Sequence, residues 1–409
     1  MSFSEFDLWT STQNAVADLG TPLYLFRPNQ VRLAYHRMLK GLQRWGKGTI
    51  AYSLKTNSFF GILGEMRKLG SWAEVVSSWE YQLALAAGFR SETIIFNGPL
   101  KTSEALQCAS RNGVFSINID SVDELAYLAT PTTIAASVPR VGVRGCLRNG
   151  NSGWSRFGLQ IETGEFEHTI QTIKESPDLE LACLHFHLGT QVNSVDRYLE
   201  ALAVAQDVWE RLELGPHVRL DLGGGYPYQH DRPLEDQEFD PVSFFETLKC
   251  AWQFSVRPPL LIEPGRYIVA PAIALVGRVL SCKERAGEPS IIVLDTGTNH
   301  NVMGAFYEHQ WLFERVDSEV TEFRLCGPLC MEDDIMSGPI RGNRPQCGSL
   351  TIMLNAGAYS MSLSRTFIQP RPAVVQVLPE GRYELMVKRE TPQSAFALNR
   401  GCRRRICQQ

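Results

Sequence analysis

The sequence lacks the marks of several protein classes. It has no apolar run that approaches the roughly 20 residues needed to span a bilayer. Its start, Met1 to Asp7, is acidic and has no basic segment followed by an apolar stretch, which argues against a secretory signal. The net charge of -4 provides no overall positive surplus for binding nucleic acid. We therefore expect a cytoplasmic globular protein that binds neither membranes nor nucleic acids.

Cysteine spacing offers neither a disulfide framework nor a metal site. The 10 cysteines are scattered, and no pair has metal-ligand spacing with histidine partners. Reduced thiols in a cytoplasmic protein are therefore expected. The strongest charge run, Arg400 to Arg405, lies within residues 400–409, which we interpret as a mobile, solvated tail; nucleic-acid or membrane binding is the alternative.

Alternating β-rich and amphipathic stretches predict a barrel over residues 28–266. The chain has 409 residues and 44% apolar content, which is enough for two domains. Its strand-helix units match a (β/α)8 TIM-type barrel. The candidate strands are 49–54, 71–77, 93–97, 114–119, 138–144, 181–187, 217–222 and 259–263. Helical patterns between them include 59–69, 79–87, 103–111, 121–129, 195–212 and 241–252.

The rest of the chain shows strand-like segments without helical periodicity between them. These candidate strands are 272–282, 290–295, 322–326, 348–355, 373–378 and 382–388. We predict an antiparallel β-sandwich or β-barrel domain formed by residues 1–27 and 267–409. The early segment Pro22 to Phe26 is expected to supply its N-terminal strand.

Polar residues follow the predicted barrel strands at the end where barrel enzymes carry their sites. Lys55 follows the first strand, His187 the sixth and Glu263 the eighth. Desolvation could free the Lys55 amine to form a Schiff base, while an ordinary strand-end lysine is the alternative. Glu263 closes a strongly apolar strand, where a carboxylate needs a partner such as a protonated pyridine nitrogen.

Three consecutive glycines follow the seventh strand. Gly223, Gly224 and Gly225 leave backbone N–H groups uncovered by side chains, as in a phosphate cradle, although a tight loop explains them equally well. Arg266 could contact the same phosphate or form a surface salt bridge.

Two histidines point to one face of the sixth strand. His187 could stack on a flat ring or be a structural group. His185 lies two residues earlier, so a metal pair is conceivable. No third ligand is evident, and catalytic zinc requires three protein ligands. We therefore predict no metal.

Eight short runs carry a family resemblance that extends over nearly the whole chain. They are Tyr52 to Asn57, Asp120 to Leu125, Ser155 to Leu159, His185 to Gln191, Leu222 to Gly225, Glu263 to Arg266, Cys326 to Cys330 and Asn355 to Tyr359. In these runs the chain resembles the fold-type III pyridoxal-phosphate decarboxylases, which include diaminopimelate, ornithine and arginine decarboxylases and share their barrel with alanine racemase. The resemblance implies pyridoxal 5'-phosphate as cofactor. It also implies decarboxylation of an amino acid to an amine through a Lys55 Schiff base and a quinonoid carbanion.

The same resemblance implies a role for each matching residue. Glu263 would keep the cofactor's ring nitrogen protonated, His187 would stack on the ring, and Arg144 would support the ring side less directly. In the family, the cysteine that matches Cys330 approaches from a second subunit and supplies a proton, which implies an obligate homodimer with shared sites. A small buried hydrophobe is the alternative for this cysteine. The residues implied to hold the phosphate are Gly223, Gly224, Gly225, Arg266, Thr190 and Tyr359.

Two positions depart from the best-known relatives. Met331 follows Cys330 where diaminopimelate decarboxylases have a glutamate and ornithine decarboxylases an aspartate. Met303 stands where diaminopimelate enzymes use an arginine for the distal carboxylate. An unpaired distal carboxylate would then meet a thioether, which argues against diaminopimelate as substrate. The candidate substrate-setting residues are Asp295, Met303, Met331, Glu332, Asp333 and Asp334.

The segments 326–334 and 355–363 look more like a divergent branch of the family. That branch contains the glutamyl-carrier-protein decarboxylase of aminoglycoside side-chain assembly and siderophore-pathway decarboxylases. We therefore predict decarboxylation of an unusual, conjugated or carrier-bound amino acid in specialised natural-product biosynthesis.

Other functions remain as alternatives. One is decarboxylation of a free basic amino acid: diaminopimelate, ornithine or lysine. A racemase would use the same lysine but would need a second base instead of the Cys330 motif. A non-catalytic regulator would have lost the cofactor, against which the retention of Lys55, Glu263 and Cys330 argues. A cofactor carrier would lack the long β domain.

Overall fold

The computed structural model describes residues 5–129, 138–147 and 155–400. Elements are numbered in chain order. The helices are α1 (Glu5–Leu19), α2 (Pro28–Trp45), α3 (Phe60–Lys68), α4 (Ser78–Ala86), α5 (Ser103–Arg111), α6 (Val122–Leu128), α7 (Glu165–Glu175), α8 (Asp196–Arg211), α9 (Pro241–Ala251), α10 (Arg266–Val269) and α11 (Pro392–Arg400). The first ten strands are β1 (Leu23–Phe26), β2 (Gly48–Ser53), β3 (Trp72–Val75), β4 (Ile94–Phe96), β5 (Ser116–Ile119), β6 (Arg140–Cys146), β7 (Leu159–Gln160), β8 (Glu180–Phe186), β9 (Arg219–Asp221) and β10 (Leu260–Ile262). The others are β11 (Ile273–Lys283), β12 (Ser290–Leu294), β13 (Trp311–Phe313), β14 (Val316–Cys326), β15 (Ile340–Pro345), β16 (Leu350–Met353), β17 (Ala373–Val377) and β18 (Tyr383–Val387).

One compact unit comprises residues 31–229 and 237–269 and contains a closed parallel barrel. Its strand order is β5-β4-β3-β2-β10-β9-β8-β6, and the pairing of β5 with β6 closes the ring. Each of the eight strands predicted from the sequence is present, so the TIM-type barrel is confirmed. The predicted helical stretches correspond to α3, α4, α5, α6, α8 and α9. Side-chain caps fix several helix starts, as where Asp240 accepts from the backbone of α9.

Residues at the amino ends of the strands close one end of the barrel. The rings of Trp72 and Phe115 lie 4.6 Å apart between centroids, and the Arg219 guanidinium lies over both. They pack with a buried apolar cluster that includes Ile95 and Leu261. Because this end is filled by apolar groups, the polar side chains of the interior gather at the carboxyl ends of the strands.

The second compact unit comprises, among the described residues, 5–30, 230–236 and 270–400. Its main sheet runs β15-β14-β12-β11-β1-β17-β18, and β16 pairs with β11 and β13. The sheet is mixed rather than purely antiparallel, since β1 runs parallel to β17 and β12 parallel to β14. Long connections separate the members of both parallel pairs, and such connections permit parallel pairing. The β domain predicted from the sequence is thus present with mixed strand directions.

The N-terminal segment joins this β unit as predicted. Strand β1 lies between β11 and β17, and its residues Leu23 and Leu25 enter a buried apolar core with Val276 and Val375. The sequence analysis did not identify α1, α11, β13 or β15, which are short, exposed on one face or weakly periodic. It placed the domain limits at 27/28 and 266/267, whereas the compact units change at 30/31 and 269/270 and assign residues 230–236 to the β unit.

Two further predictions concern the chain ends and membranes. Residues 401–409 of the predicted tail lie outside the described residues. Across the described ranges, no helix combines the length and apolar character needed to cross a membrane.

Candidate active site

Lys55 lies at the mouth of the barrel, in a short 3-10 turn of residues 54–56 that directly follows β2. Its Nζ donates a hydrogen bond to Glu74 Oε2 at 2.7 Å. Glu74 belongs to β3, is fully buried, and also accepts from the Ser53 hydroxyl. The lysine side chain keeps 33% of its surface exposed. A buried, fixed carboxylate therefore orients an amine that remains reachable.

Glu263 directly follows β10 and presents an open oxygen. Its Oε1 accepts from Asn97 Nδ2 at 2.6 Å, and its Oε2 lies 3.6 Å from His185 Nε2 without a hydrogen-bond partner among the described residues. Burial works to raise the pKa of Glu263, but the neighbouring His185 and Lys55 outweigh it and hold the pKa well below its usual range. The result is an ionised, buried carboxylate.

Asp221 ends β9 and has the opposite electrostatic character. Burial, together with the negative charge of Glu263, raises the pKa of the Asp221 carboxyl well above its ordinary value. Its Oδ1 accepts from the Gly223 N–H at 2.9 Å. Two close carboxyl groups do not both ionise easily, and their surroundings favour the ionised form at Glu263 over that at Asp221.

His187 follows β8 at the same end of the barrel. Its Nδ1 accepts from the Gly224 N–H at 3.3 Å, which assigns the ring proton to Nε2. Burial, assisted by the Lys55 ammonium, lowers the pKa of His187 to about 3. A neutral flat ring at neutral pH is suited to stacking on a cofactor.

His185 in β8 and His187 directly after it have a third potential metal ligand that the sequence did not reveal. Ligand atoms of His185, His187 and Glu263 lie within 4.8 Å of one another. The strand order explains this grouping, because it brings residues 76 or more positions apart in the sequence to one end of the barrel. The same carboxylate also fits a protonated ring nitrogen, so the absence of a metal stays a prediction.

The glycine loop after β9 has no room for side chains. A Cβ at Gly223, Gly224 or Gly225 would lie 2.6–2.7 Å from a backbone carbonyl oxygen of a neighbouring segment. Gly223 and Gly225 also have φ of +62° and +93°, which other residues rarely adopt. The N–H groups of Gly223 and Gly224 donate to Asp221 and His187. The loop thus holds two site side chains in place, in addition to the phosphate role implied for it.

The other barrel residues predicted to belong to the site also lie at the ends of strands. Arg266 is buried at the start of α10, and Thr190 is exposed after β8. Arg144, in β6, donates from Nη1 to Asp120 Oδ1 at 2.9 Å, and its guanidinium lies 4.7 Å from the centroid of the Phe157 ring. These contacts fix the direction of the Arg144 side chain.

Four buried polar residues of the site were not found from the sequence. They are Glu74 in β3, Asn97 directly after β4, Asn118 in β5 and Asp221 at the end of β9. A single rule would have found them, since each is a polar residue at or next to the carboxyl end of a barrel strand. The sequence analysis applied that rule to the first, sixth, seventh and eighth strands, left out those between, and at the seventh considered only the glycines.

Together these barrel residues fit pyridoxal phosphate. The amine of Lys55 is oriented and reachable, Glu263 has an open ionised oxygen, and His187 offers a neutral ring. At the glycine loop the backbone passes so close to neighbouring segments that no Cβ fits. A covalent anchor, a partner for the ring nitrogen, a stacking ring and a close backbone approach are the features that this cofactor requires of a protein.

Other candidate residues belong to the β unit. Cys330 is exposed in the loop between β14 and β15, and so are Met331, Glu332 and Asp333. Tyr359 is partly buried and has φ of +59°. A partly buried Met303 lies in the 3-10 turn Val302–Ala305.

Two of the candidate substrate residues have their carboxylates engaged inside the β unit. Asp334 is 2% exposed; its Oδ1 accepts from the Thr298 N–H at 2.7 Å and the Thr298 hydroxyl at 2.9 Å, and its Oδ2 accepts from the Leu329 N–H at 2.8 Å. Asp295 accepts from the Arg278 N–H at 2.7 Å and from the Thr21 hydroxyl. These contacts favour structural roles over contact with a distal substrate group.

Comparison with known proteins places this geometry in a family. The pyridoxal binding domain of the pyridoxal-dependent decarboxylases matches residues 29–270. A diaminopimelate decarboxylase of Methanocaldococcus jannaschii is 27% identical over 91% of this chain and 89% of that protein. The L-glutamyl-[BtrI acyl-carrier protein] decarboxylase of Niallia circulans is 28% identical over 92% of this chain and 93% of that protein. A crystal structure of diaminopimelate decarboxylase from M. jannaschii in co-complex with L-lysine shares the fold, with a TM-score of 0.86, 24% identity and coverage of 95% of this chain and 94% of that chain.

The family match covers more than half of the chain and includes every barrel residue discussed above. The cofactor is pyridoxal phosphate, for which the barrel mouth has the amine, the carboxylate and the glycine loop. The chain therefore belongs to the pyridoxal-dependent decarboxylases, enzymes that remove a carboxyl group from amino acids.

Proposed function

We propose that Lys55 holds the cofactor covalently and that the substrate is an unusual, conjugated or carrier-bound amino acid. The observation that carries the reaction is the open, ionised Oε2 of Glu263 at the same strand ends as the Lys55 amine. Bound pyridoxal phosphate supplies an electron-accepting ring. Glu263 holds the proton on the ring nitrogen, and Glu74 orients the Lys55 nitrogen through its 2.7 Å contact.

The other barrel residues position the cofactor. His187 stacks on the ring as a neutral group, and Arg144 supports the ring side from its ion pair with Asp120. The phosphate contacts proposed from the family are Gly223, Gly224, Gly225, Arg266, Thr190 and Tyr359. Borohydride reduction followed by peptide mapping tests the central assignment, because it should leave the cofactor on Lys55; label on another lysine would overturn it.

Cys330 is proposed as the proton donor of a second subunit. Its thiol is exposed on a loop whose base is fixed by Asp334, as expected for a group that enters a neighbouring molecule's site. The active form would then be an obligate homodimer with shared sites.

Mixing inactive subunits tests this arrangement. A Lys55→Ala chain mixed with an equal amount of a Cys330→Ala chain forms hybrid dimers that contain one intact site. Random exchange should therefore restore about one quarter of wild-type activity. No restoration, with hybrid dimers shown by native mass spectrometry, would place both residues of a site in one subunit.

The substrate proposal depends on the residues after Cys330. Met331 is uncharged and Asp334 is engaged by three donors, so neither is placed to read a distal amine. The similarity to an enzyme named for a glutamyl group on an acyl-carrier protein supports a conjugated substrate. Mass spectrometry of free and carrier-bound amino acids should show loss of carbon dioxide from a bound substrate. Turnover of free diaminopimelate at the rate of a dedicated enzyme would overturn the proposal, and loss of optical activity without carbon dioxide release would indicate a racemase.

A further inference from the structure

One side-chain amide lies between the two carboxylates of the barrel site. Asn97 Nδ2 donates to Glu74 Oε1 at 3.1 Å and to Glu263 Oε1 at 2.6 Å. An amide nitrogen carries two hydrogens, so each carboxylate receives one of them. All three side chains are buried, with exposures of 4% or less. Away from water, each of these hydrogen bonds acts on an ionised group in a low dielectric.

A second amide fixes the direction in which Asn97 faces. Asn118 Nδ2 donates to Asn97 Oδ1 at 2.8 Å. Asn118 Oδ1 accepts from the Ser116 hydroxyl at 2.6 Å and from the Cys183 thiol at 3.1 Å. The network therefore selects the amide orientation that points the Asn97 nitrogen at the carboxylates. Gly142 leaves the required space, since a Cβ there would lie 1.9 Å from Asn118 Oδ1.

We propose that Asn97 is a positioning residue that couples the charges of Glu74 and Glu263. The proton affinity of the Lys55 nitrogen and that of the cofactor's ring nitrogen are then set together. This inference rests on the proposed roles of Lys55 and Glu263. Each hydrogen bond from Asn97 stabilises the ionised form of the carboxylate that accepts it. A change at Asn97 therefore alters both ends of the site at once.

Other titratable groups surround the two carboxylates. Glu80 and Lys55 face Glu74, and burial, with a contribution from Glu74, raises the pKa of Glu80 to about 7. The groups that face Glu263 are Lys55, Cys183, His185, His187, Asp221 and Tyr226. The substitution to be tested leaves all of them in place, so a change in titration reports on the two lost N–H donors.

The test is a pH titration of the visible absorbance of bound pyridoxal phosphate in Asn97→Ala, combined with the cofactor Kd. Without the amide, both carboxylates bind protons more strongly, and Glu74 holds the proton on the Lys55 nitrogen more tightly. We expect the pKa read from the absorbance to rise by about one unit. We also expect the Kd for the cofactor to increase roughly tenfold. Asn97→Asp, which replaces the donor with a third carboxylate, should raise the same pKa further.

Ser71→Ala is the matched control. Ser71 is buried just before β3, at the strand end opposite the site. Its hydroxyl lies 2.8 Å from the Trp72 carbonyl oxygen and 3.1 Å from the Ile50 carbonyl oxygen. Its loss should lower stability without moving the absorbance titration. If Asn97→Ala is destabilised but titrates within about 0.2 pKa unit of wild type, the coupling is wrong.

Two further measurements keep the outcome clear. Should Asn97→Ala not fold, Asn118→Ala removes the hydrogen bond that orients Asn97, together with the acceptor of Ser116 and Cys183. It leaves the Asn97 donors in place and is expected to shift the titration in the same direction by less. An unchanged titration in the folded Asn118→Ala protein would then overturn the proposal. Borohydride reduction and peptide mapping of the wild-type enzyme test the proposed function separately. A cofactor that is not attached to Lys55 would overturn the proposed function, independently of the result for Asn97.

Discussion

Both compact units contain carboxylates that are buried or partly buried, but the groups around these carboxylates differ. In the barrel, Glu74 and Glu263 accept from a lysine or a side-chain amide, and Glu263 keeps one oxygen open. In the β unit, Asp295 and Asp334 accept from backbone N–H and hydroxyl groups. The barrel carboxylates therefore face groups of the proposed chemistry, whereas Asp295 and Asp334 fix the backbone of their own unit.

This difference shows that burial of a carboxylate does not by itself indicate a functional site. The useful distinction is which groups surround the carboxylate: Glu74 accepts from the Lys55 amine and the Asn97 amide, whereas Asp334 accepts from backbone N–H groups and a hydroxyl. Asp334 has three donors on its two oxygens, while Glu263 has an oxygen that no described residue supplies with a hydrogen bond. Substitutions that remove charge should therefore affect catalysis in the barrel and stability in the β unit.

The largest effect is expected for Lys55→Ala. Without the amine, the visible absorbance of covalently bound cofactor should disappear and activity should fall by at least about 10³-fold. Lys55→Arg is the matched control for charge, because it keeps a cation for Glu74 but cannot form the covalent link. We expect the arginine variant to unfold at nearly the wild-type temperature and to be equally inactive. Covalent cofactor in either variant would contradict the assignment.

Glu263→Gln should lower kcat by roughly 10²–10³-fold with little change in unfolding temperature. The amide keeps the shape and an oxygen for Asn97 but removes the charge that faces the ring nitrogen. Steady-state kinetics with the substrate found by the screen, together with thermal unfolding of the cofactor-free protein, check both parts. A variant with near-normal kcat would remove the distinction between the barrel carboxylates and those of the β unit.

The sequence predicted the barrel better than the β unit for a physical reason. Parallel barrel strands have apolar runs with polar residues at one end, and this local pattern located Lys55, His187 and Glu263. The same pattern marks Glu74 and Asn97 as polar residues at strand ends, but only the strand order shows that they lie beside Glu263.

In the β unit, the local sequence pattern did not show which groups donate hydrogen bonds to a carboxylate. Asp334 was predicted as a substrate residue because it follows Cys330 closely in sequence. Its donors include Thr298, which lies 36 positions away and is brought close by the parallel pairing of β12 with β14. The sequence spacing alone does not show that the Asp334 carboxylate will accept a hydrogen bond from a backbone N–H group of another loop.

Asp334→Ala tests the structural half of the comparison. It leaves the buried N–H groups of Thr298 and Leu329 without acceptors, which should cost about 2–4 kcal/mol in the free energy of unfolding. The loosened loop should also change the rate at which iodoacetamide alkylates Cys330. Asp333→Ala, at the exposed neighbouring position, should change neither quantity. Equal behaviour of the two variants would show that Asp334 does not hold the loop.

His300 should make the stability of the β unit depend on pH, independently of the candidate active site. It is fully buried, with Nδ1 3.1 Å from the Thr296 hydroxyl oxygen and Nε2 3.0 Å from the Pro370 carbonyl oxygen. Burial lowers the pKa of His300 from 6.5 to about 4. The unfolded state therefore binds more protons between these values, so this stability is complete above pH 6.5 and is lost as the pH falls towards 4.

The measurement is the slope of unfolding free energy against pH in the cofactor-free protein. His300→Gln should remove up to about 1.4 kcal/mol per pH unit from that slope between the two pKa values. Exposed His217→Gln is the control and should leave it unchanged. An identical slope in both variants would show that His300 is not a source of acid sensitivity.

The smallest effect is expected for Asp295→Asn. Burial raises the pKa of Asp295, which favours an uncharged group at this position. An amide oxygen can still accept from the Arg278 N–H, and the Thr21 hydroxyl can reverse its direction and accept from the new NH2. At Asp334, by contrast, donors face both oxygens, so neither orientation of an asparagine would satisfy them. We therefore expect urea unfolding of Asp295→Asn to differ from wild type by less than about 1 kcal/mol, with unchanged activity. Lost activity at unchanged stability would return Asp295 to the substrate residues and show that a carboxylate with satisfied oxygens can still act on the reaction.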